Sequence, residues 1–158
     1  APASRLRHGH PAVVRLLDES SVSTVRAVTG RAVVKRRHLR VGDELTDETT
    51  VVVRGGRLDH QQLQADALRN HAIYGTYGIS VFAARDLTVE ELMQLTPLVR
   101  FDRVTVVTVG DLKAVGLRLE PTGRNPRHYD IAFDDLADGV QRLCGCEHQV
   151  VVNPYHEP

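Results

Sequence analysis

The spacing of apolar positions changes along the chain, and the change divides it near residue 48. Before that point, "PAVVRLLDES" and "SVSTVRAVTG" each read as a short helical segment with Ser or Thr at the caps. From Thr49 onward the pattern alternates between strand and helix. "TTVVVRGG" is a β-branched apolar run closed by two glycines, the mark of a buried strand. In "LDHQQLQADALRNHAIYG", Leu58, Leu63, Ala67 and Ile73 fall roughly on one helical face. "YGISVFAAR" reads as a second strand. "LTVEELMQLTP" opens on a capping box, Thr88 with Glu91 three residues on, and stops before Pro97. "DRVTVVTV" alternates with period two, the signature of a half-buried strand, and Val104 and Val106 are its core-facing residues. "GDLKAVG" has room for at most two helical turns, with Gly116 suited to end them. "LRLEP" and "HYDIAF" flank the turn-rich "TGRNPR", "DDLADGVQRLCGC" is a helix with acids at its positive end, and "HQVVVNPY" closes as a strand.

This succession predicts an α+β fold: one domain with a mixed, largely antiparallel sheet of about six strands, three or four helices and a short helical N-terminal segment. Helices do not follow every strand, which argues against a regular doubly wound sheet. The N-terminal helical and basic segment, residues 1–48, is expected to pack on the α+β domain of residues 49–158.

Composition adds limits. The chain has 158 residues, no net formal charge, 42% hydrophobic and 25% charged residues, within the range of a globular protein. Balanced charge argues against binding nucleic acid over the whole surface, while leaving room for a local basic patch. The apolar runs are far too short to span a bilayer. "APASRLRHGHP" has no apolar signal core, and its first residue is not Met, as expected of a trimmed terminus. Two cysteines cannot brace the fold, which favours a reducing cytoplasm. Arginine far outnumbers lysine, a habit of GC-rich bacterial genomes.

The candidate chemistry clusters in three places. Arg54 stands at the end of a strand, directly before Gly55 and Gly56, where a close-approaching backbone and a guanidinium fork suit a phosphate or carboxylate. An edge arginine before a tight turn has the same sequence. The segment "NHAIYGTYGISVF" gathers His71, Tyr74, Tyr77 and Ser80. In a continuous helix His71 and Tyr74 share a face, Gly75 and Gly78 break the helix, and Tyr77 sits between them on bent backbone. Such groups supply proton transfer and a flat ring for a base or nicotinamide; packing of both tyrosines against the core is the competing reading. Farther on, "GRNPRHYD" groups Arg124, Arg127, His128 and Tyr129, and "CGCEHQVVVNPYHEP" holds Cys144, Cys146, Glu147, His148, Asn153, Tyr155, His156 and Glu157. Cys-x-Cys with a following His lacks the second ligand pair of a zinc site, so no metal is expected. A frayed terminus is the default for the closing "NPYHE".

The order "VVVRGG", helix, "YGISVF" resembles the front half of the ADP-ribosyltransferase fold, over roughly Val51 to Asn153. In that family a strand-end Arg or His holds NAD, a serine-bearing strand supports the nicotinamide pocket, and a late Glu, Gln or Asn completes the site. The resemblance implies NAD as substrate, bound by Arg54, Gly55 and His71, with Tyr74 or Tyr77 on the nicotinamide and Ser80 as the strand serine. The late residue is Glu147, Asn153 or Glu157. The chain departs from the pattern in having one hydroxyl in "ISVF", where many members have Ser-Thr-Ser, and no Glu-x-Glu or Gln-x-Glu.

By this resemblance the expected function is a small bacterial toxin-like enzyme that transfers ADP-ribose from NAD to a macromolecule or small molecule. The toxin context is an analogy from size and charge, and it brings an antitoxin protein as partner. One alternative is a metal-independent endoribonuclease, with His71 or His128 moving the 2′-hydroxyl proton and RNA meeting Arg36, Arg37 and Arg40. Another is a non-catalytic protein-binding module. A second copy of the chain is a further partner this reading admits.

Overall fold

A computed structural model of the chain describes Lys35 and residues 41–158. The expected N-terminal helical segments, and Arg36, Arg37 and Arg40, lie outside the described residues. Those described belong to one compact unit, Val33–Pro158. Residues 41–48 belong to the same unit: Leu45 packs on the core, Asp47 accepts from the Gly110 N–H at 2.9 Å, and the Lys113 ammonium reaches its carboxylate at 2.6 Å.

The elements follow the order β1 (Thr50–Val53), α1 (His60–Tyr74), β2 (Tyr77–Ala83), α2 (Val89–Met93), β3 (Arg103–Thr108), α3 (Val109–Ala114), β4 (Arg118–Pro121), β5 (His128–Phe133), α4 (Leu136–Gly145) and β6 (Gln149–Val152). The six strands form one sheet in the order β4-β5-β2-β1-β3-β6. The sheet was expected to be mixed; all five of its pairings are antiparallel. The α+β architecture expected from the sequence is present. No helix among the described residues is long and apolar enough to cross a membrane.

Helix boundaries follow local chemistry. Asp59 caps α1 by accepting from the Gln62 N–H at 2.8 Å, and Gly75, at φ 76°, ends it in the left-handed region. The expected capping box of α2 is complete: Glu91 N–H donates to Thr88 Oγ1, and Thr88 N–H donates to the Glu91 carboxylate. Thr108 and Asp111 make a second box at α3, and Gly116 follows that helix at φ 75°.

The core differs from the sequence expectation in one instructive way. β3 reads as half-buried, yet Val104, Thr105 and Val107 are all buried, because β3 has covered surfaces on both sides. Leu63 and Ala67 of α1, Leu112 of α3 and Val140 and Leu143 of α4 pack on Val51, Val53, Ile79, Val81, Val107 and Ile131. On the opposite face, Leu92 and Met93 of α2 and the following Leu98 cover Val52, Phe82 and Val104. Val104 and the apolar stripe of α1 therefore belong to separate clusters divided by the sheet. That second face is apolar across β1 and β3. Toward β4 it turns polar, and the hydrogen-bonded Ser80, Asp130 and Thr122 lie there.

Candidate functional site

β1 brings Arg54 to the sheet's edge of order. Its pairing with β2 runs Val51 to Ala83, Val52 to Phe82 and Val53 to Val81, so the next residue, Arg54, lies beside Ser80. Gly55 then turns the chain at φ 82°. The turn is fixed from below by the buried Thr105, whose hydroxyl donates to the Gly56 carbonyl at 2.5 Å. Arg54 is exposed, with its guanidinium carbon 5.8 Å from the Phe101 ring centroid, a loose cation–π approach. Arg54 and Ser80 line one small hollow, of about 80 Å³, together with Asp66, Arg69, Asn70 and Ile79. Arg69 pairs with Asp66 at 3.4 Å, and the Asn70 amide donates to the Gly78 carbonyl at 2.7 Å.

As expected, Ser80 points away from Ile79 and Val81, which lie in the α1-side core. Its hydroxyl donates to Asp130 Oδ1 at 3.0 Å across a register that sets the two residues directly opposite. The other carboxylate oxygen, Oδ2, accepts from the Thr122 hydroxyl. Asp130 is 2% exposed and Thr122 1%. A carboxylate so buried is tolerable only with donors of this kind. His128 Nδ1 lies 3.0 Å from Thr122 Oγ1 and 3.1 Å from the Thr122 carbonyl. The Thr122 proton is engaged by Asp130 and a carbonyl only accepts, so His128 carries its proton on Nδ1. The His128 ring also meets Phe82 edge to face at 5.5 Å.

The sequence reading missed Asp130 and Thr122. An acid inside the apolar strand run "YDIAF" was the signal, because a charge there must find partners inside the protein. The "GRNPRHYD" constellation also divides: His128 faces the polar network, whereas Tyr129, one residue on, is buried in the α1-side core.

None of the other candidates lines the Arg54 hollow. His71 stacks on Tyr77, not on the Tyr74 of its own helix, with centroids 4.3 Å apart and planes 18° from parallel. The expected bent backbone around Tyr77 is instead the first residue of β2, and Gly78 is a strand residue. His71 and Tyr77 line a neighbouring hollow of about 280 Å³ with Arg118, Glu120 and Asp134. Arg118 bonds both acids at 3.2 Å, and these contacts, that to Asp134 foremost, raise its pKa above the ordinary value. Tyr74 closes α1 just before Gly75. Glu147 lines a cleft near β6 with Thr50, Thr108, Asp111 and His148. Asn153, 3% exposed, is structural: its amide donates to the Leu98 carbonyl at 3.0 Å, and its Oδ1 accepts from Tyr155 N–H at 3.0 Å. Glu157 N–H bonds the Val99 carbonyl at 2.8 Å, so the tail is anchored where fraying is the sequence default. Burial raises the pKa of both the Cys144 and Cys146 thiols, and among the described residues no three His, Cys, Asp or Glu side chains are placed to hold a metal.

Comparison of the chain with protein-family models, with curated proteins and with solved structures finds no match.

Proposed function

We propose that the domain recognises a phosphate-bearing ligand at the paired ends of β1 and β2, with NAD as the first ligand to test. The observation that carries this reading is the placement of Arg54 beside Ser80 in one hollow. A hollow of about 80 Å³ suits a single charged group, well below the several hundred Å³ of a site that encloses a whole ligand. The rest of a dinucleotide would lie over the surface, where the His71–Tyr77 stack offers a flat ring pair. Asn70 and His71, consecutive in α1, line the two hollows. Glu147 lines a different cleft and the Asn153 amide is spent on the Leu98 and Tyr155 backbone, so neither lines the Arg54 hollow, and recognition of a ligand is favoured over ADP-ribose transfer.

Calorimetry with NAD and with pyrophosphate tests it. Arg54→Lys replaces a two-pronged donor with a point charge and should weaken NAD about ten- to hundredfold. NAD binding undetectable at millimolar concentration in folded protein overturns the reading. Free nicotinamide in the same samples would instead restore the transferase.

A second reading, metal-independent RNA cleavage, draws on His128, whose Nδ1–H is fixed by Thr122 beside the Arg124–Arg127 turn. It requires RNA cleavage in EDTA that falls at least tenfold in His128→Ala; RNA left intact at high protein concentration removes it.

A further inference from the structure

We propose that Ser80 faces the ligand as a hydrogen-bond acceptor only, and so selects a phosphate-bearing molecule that carries a hydroxyl or amine donor beside its phosphate. This deepens, and rests on, the reading of Arg54 as the anion-binding group.

A serine hydroxyl has one proton to give. At Ser80 that proton is directed to Asp130 Oδ1, 3.0 Å away. Asp130 Oδ1 accepts that proton, and the second carboxylate oxygen is already engaged by the Thr122 hydroxyl. The arrangement is held by the backbone, since Ser80 and Asp130 are direct partners in the β2–β5 register. Burial of Asp130 and Thr122 shields it from water that could otherwise reorient the hydroxyls. Ser80 itself is only half-buried, and its remaining valence is its lone pairs. Arg54, on the adjoining strand end, is the opposite case, with five N–H donors and no acceptor. Donors on one side and an acceptor on the other complement a molecule with an anionic group and a donor a few bonds apart. A phosphate with only an alkyl substituent satisfies Arg54 and leaves Ser80 unanswered.

The test compares glycerol 3-phosphate with propyl phosphate, which share the anion and differ in hydroxyls, by NMR titration of the full 158-residue chain. Glycerol 3-phosphate should bind about tenfold more tightly, the worth of one hydrogen bond to a ligand donor. In Ser80→Ala the gap should close through loss of affinity for glycerol 3-phosphate alone. Asp130→Asn supplies an amide proton that frees the Ser80 hydroxyl to turn, and should narrow the gap as well. Should that variant not fold, Ser80→Ala decides the matter. Equal affinities in the native chain, or a gap that persists in Ser80→Ala, overturn the inference and leave the Arg54 reading standing. Binding of neither phosphate at millimolar concentration removes both.

Discussion

The imidazole of His71 lies flat against the phenol of Tyr77, joining the last turns of α1 to the first residue of β2. Stacked rings contribute about 0.5–1.5 kcal/mol beyond the area they bury. Tyr77→Phe retains the stack and should change stability little, whereas Tyr77→Ala should lose it. If the ring pair also supports a nucleotide, NAD affinity should follow the same order. Urea unfolding with parallel calorimetry reads both, and equal losses for Phe and Ala would assign the effect to the hydroxyl.

The Thr105 hydroxyl should matter to ligand binding from a distance. Thr105→Val keeps the shape and leaves the Gly56 carbonyl without its 2.5 Å donor, at a cost of about 1–3 kcal/mol. The same change releases the turn that aims Arg54. NAD affinity should therefore fall even where the variant is fully folded, a result that calorimetry below the unfolding range would show.

Asn153 ties the C-terminal tail to the segment after α2. Asn153→Ala removes one of the two donors to the Leu98 carbonyl, which keeps its bond from Phe101 N–H, and takes away the acceptor of the Tyr155 N–H; it should destabilise the fold by about 0.5–1.5 kcal/mol for each bond lost. Hydrogen exchange should quicken first at Tyr155 and Glu157. Unchanged protection there would mean that other contacts hold the tail.

Gly139 on α4 has no room for a side chain. A Cβ there would come under 3.0 Å from the Phe133 ring, against the floor of the α1-side core. Gly139→Ala gains about 1 kcal/mol of helix propensity and should still be net destabilising, since overpacking a core costs typically 1–3 kcal/mol and an approach this close belongs at the upper end. Thermal unfolding of the single variant checks the sign.

Both thiols have pKa values raised by burial above those they would have in the unfolded chain. In the pH range between the unfolded and folded values, the folded state holds more protons, so stability is full below the ordinary thiol range and declines as pH rises through it. Denaturant midpoints measured from pH 7 to about 10 should fall in the native chain. In Cys144→Ala/Cys146→Ala the fall should be smaller.

The fold was legible wherever local chemistry decides it. The period-two run of β3, the Thr88–Glu91 box and the glycines at 75 and 116 each carry their structure within a few residues. What spacing along the chain could not show is which residues meet across it. Ser80 was placed correctly on its strand face, yet its partner Asp130 is fifty positions away on a strand whose neighbour no local pattern names. The same limit made β3 read as half-buried, because period two registers one covered face and is blind to a second. His71 and Tyr74 do share the last turn of α1 as helical spacing implies, yet spacing could not show that the His71 ring stacks on Tyr77 of the next strand. Candidates grouped by sequence proximity at the C-terminus divided for a related reason: Asn153 serves the loop after α2, whereas Glu147 faces a cleft near β6.

Strand order β4-β5-β2-β1-β3-β6 has a temporal side. On a ribosome, β2 emerges well before β5, and until β5 arrives the flank of β2 that will receive it has no strand to bind. Of the five pairings, only β4 with β5 joins consecutive strands through a short connection without a helix. Sheet closure must therefore wait on distant segments, the kind of non-local pairing that slows folding relative to a helical bundle of the same length. Until β5 has emerged and paired, the aspartate that the finished protein buries between two hydroxyls has neither of them settled against it.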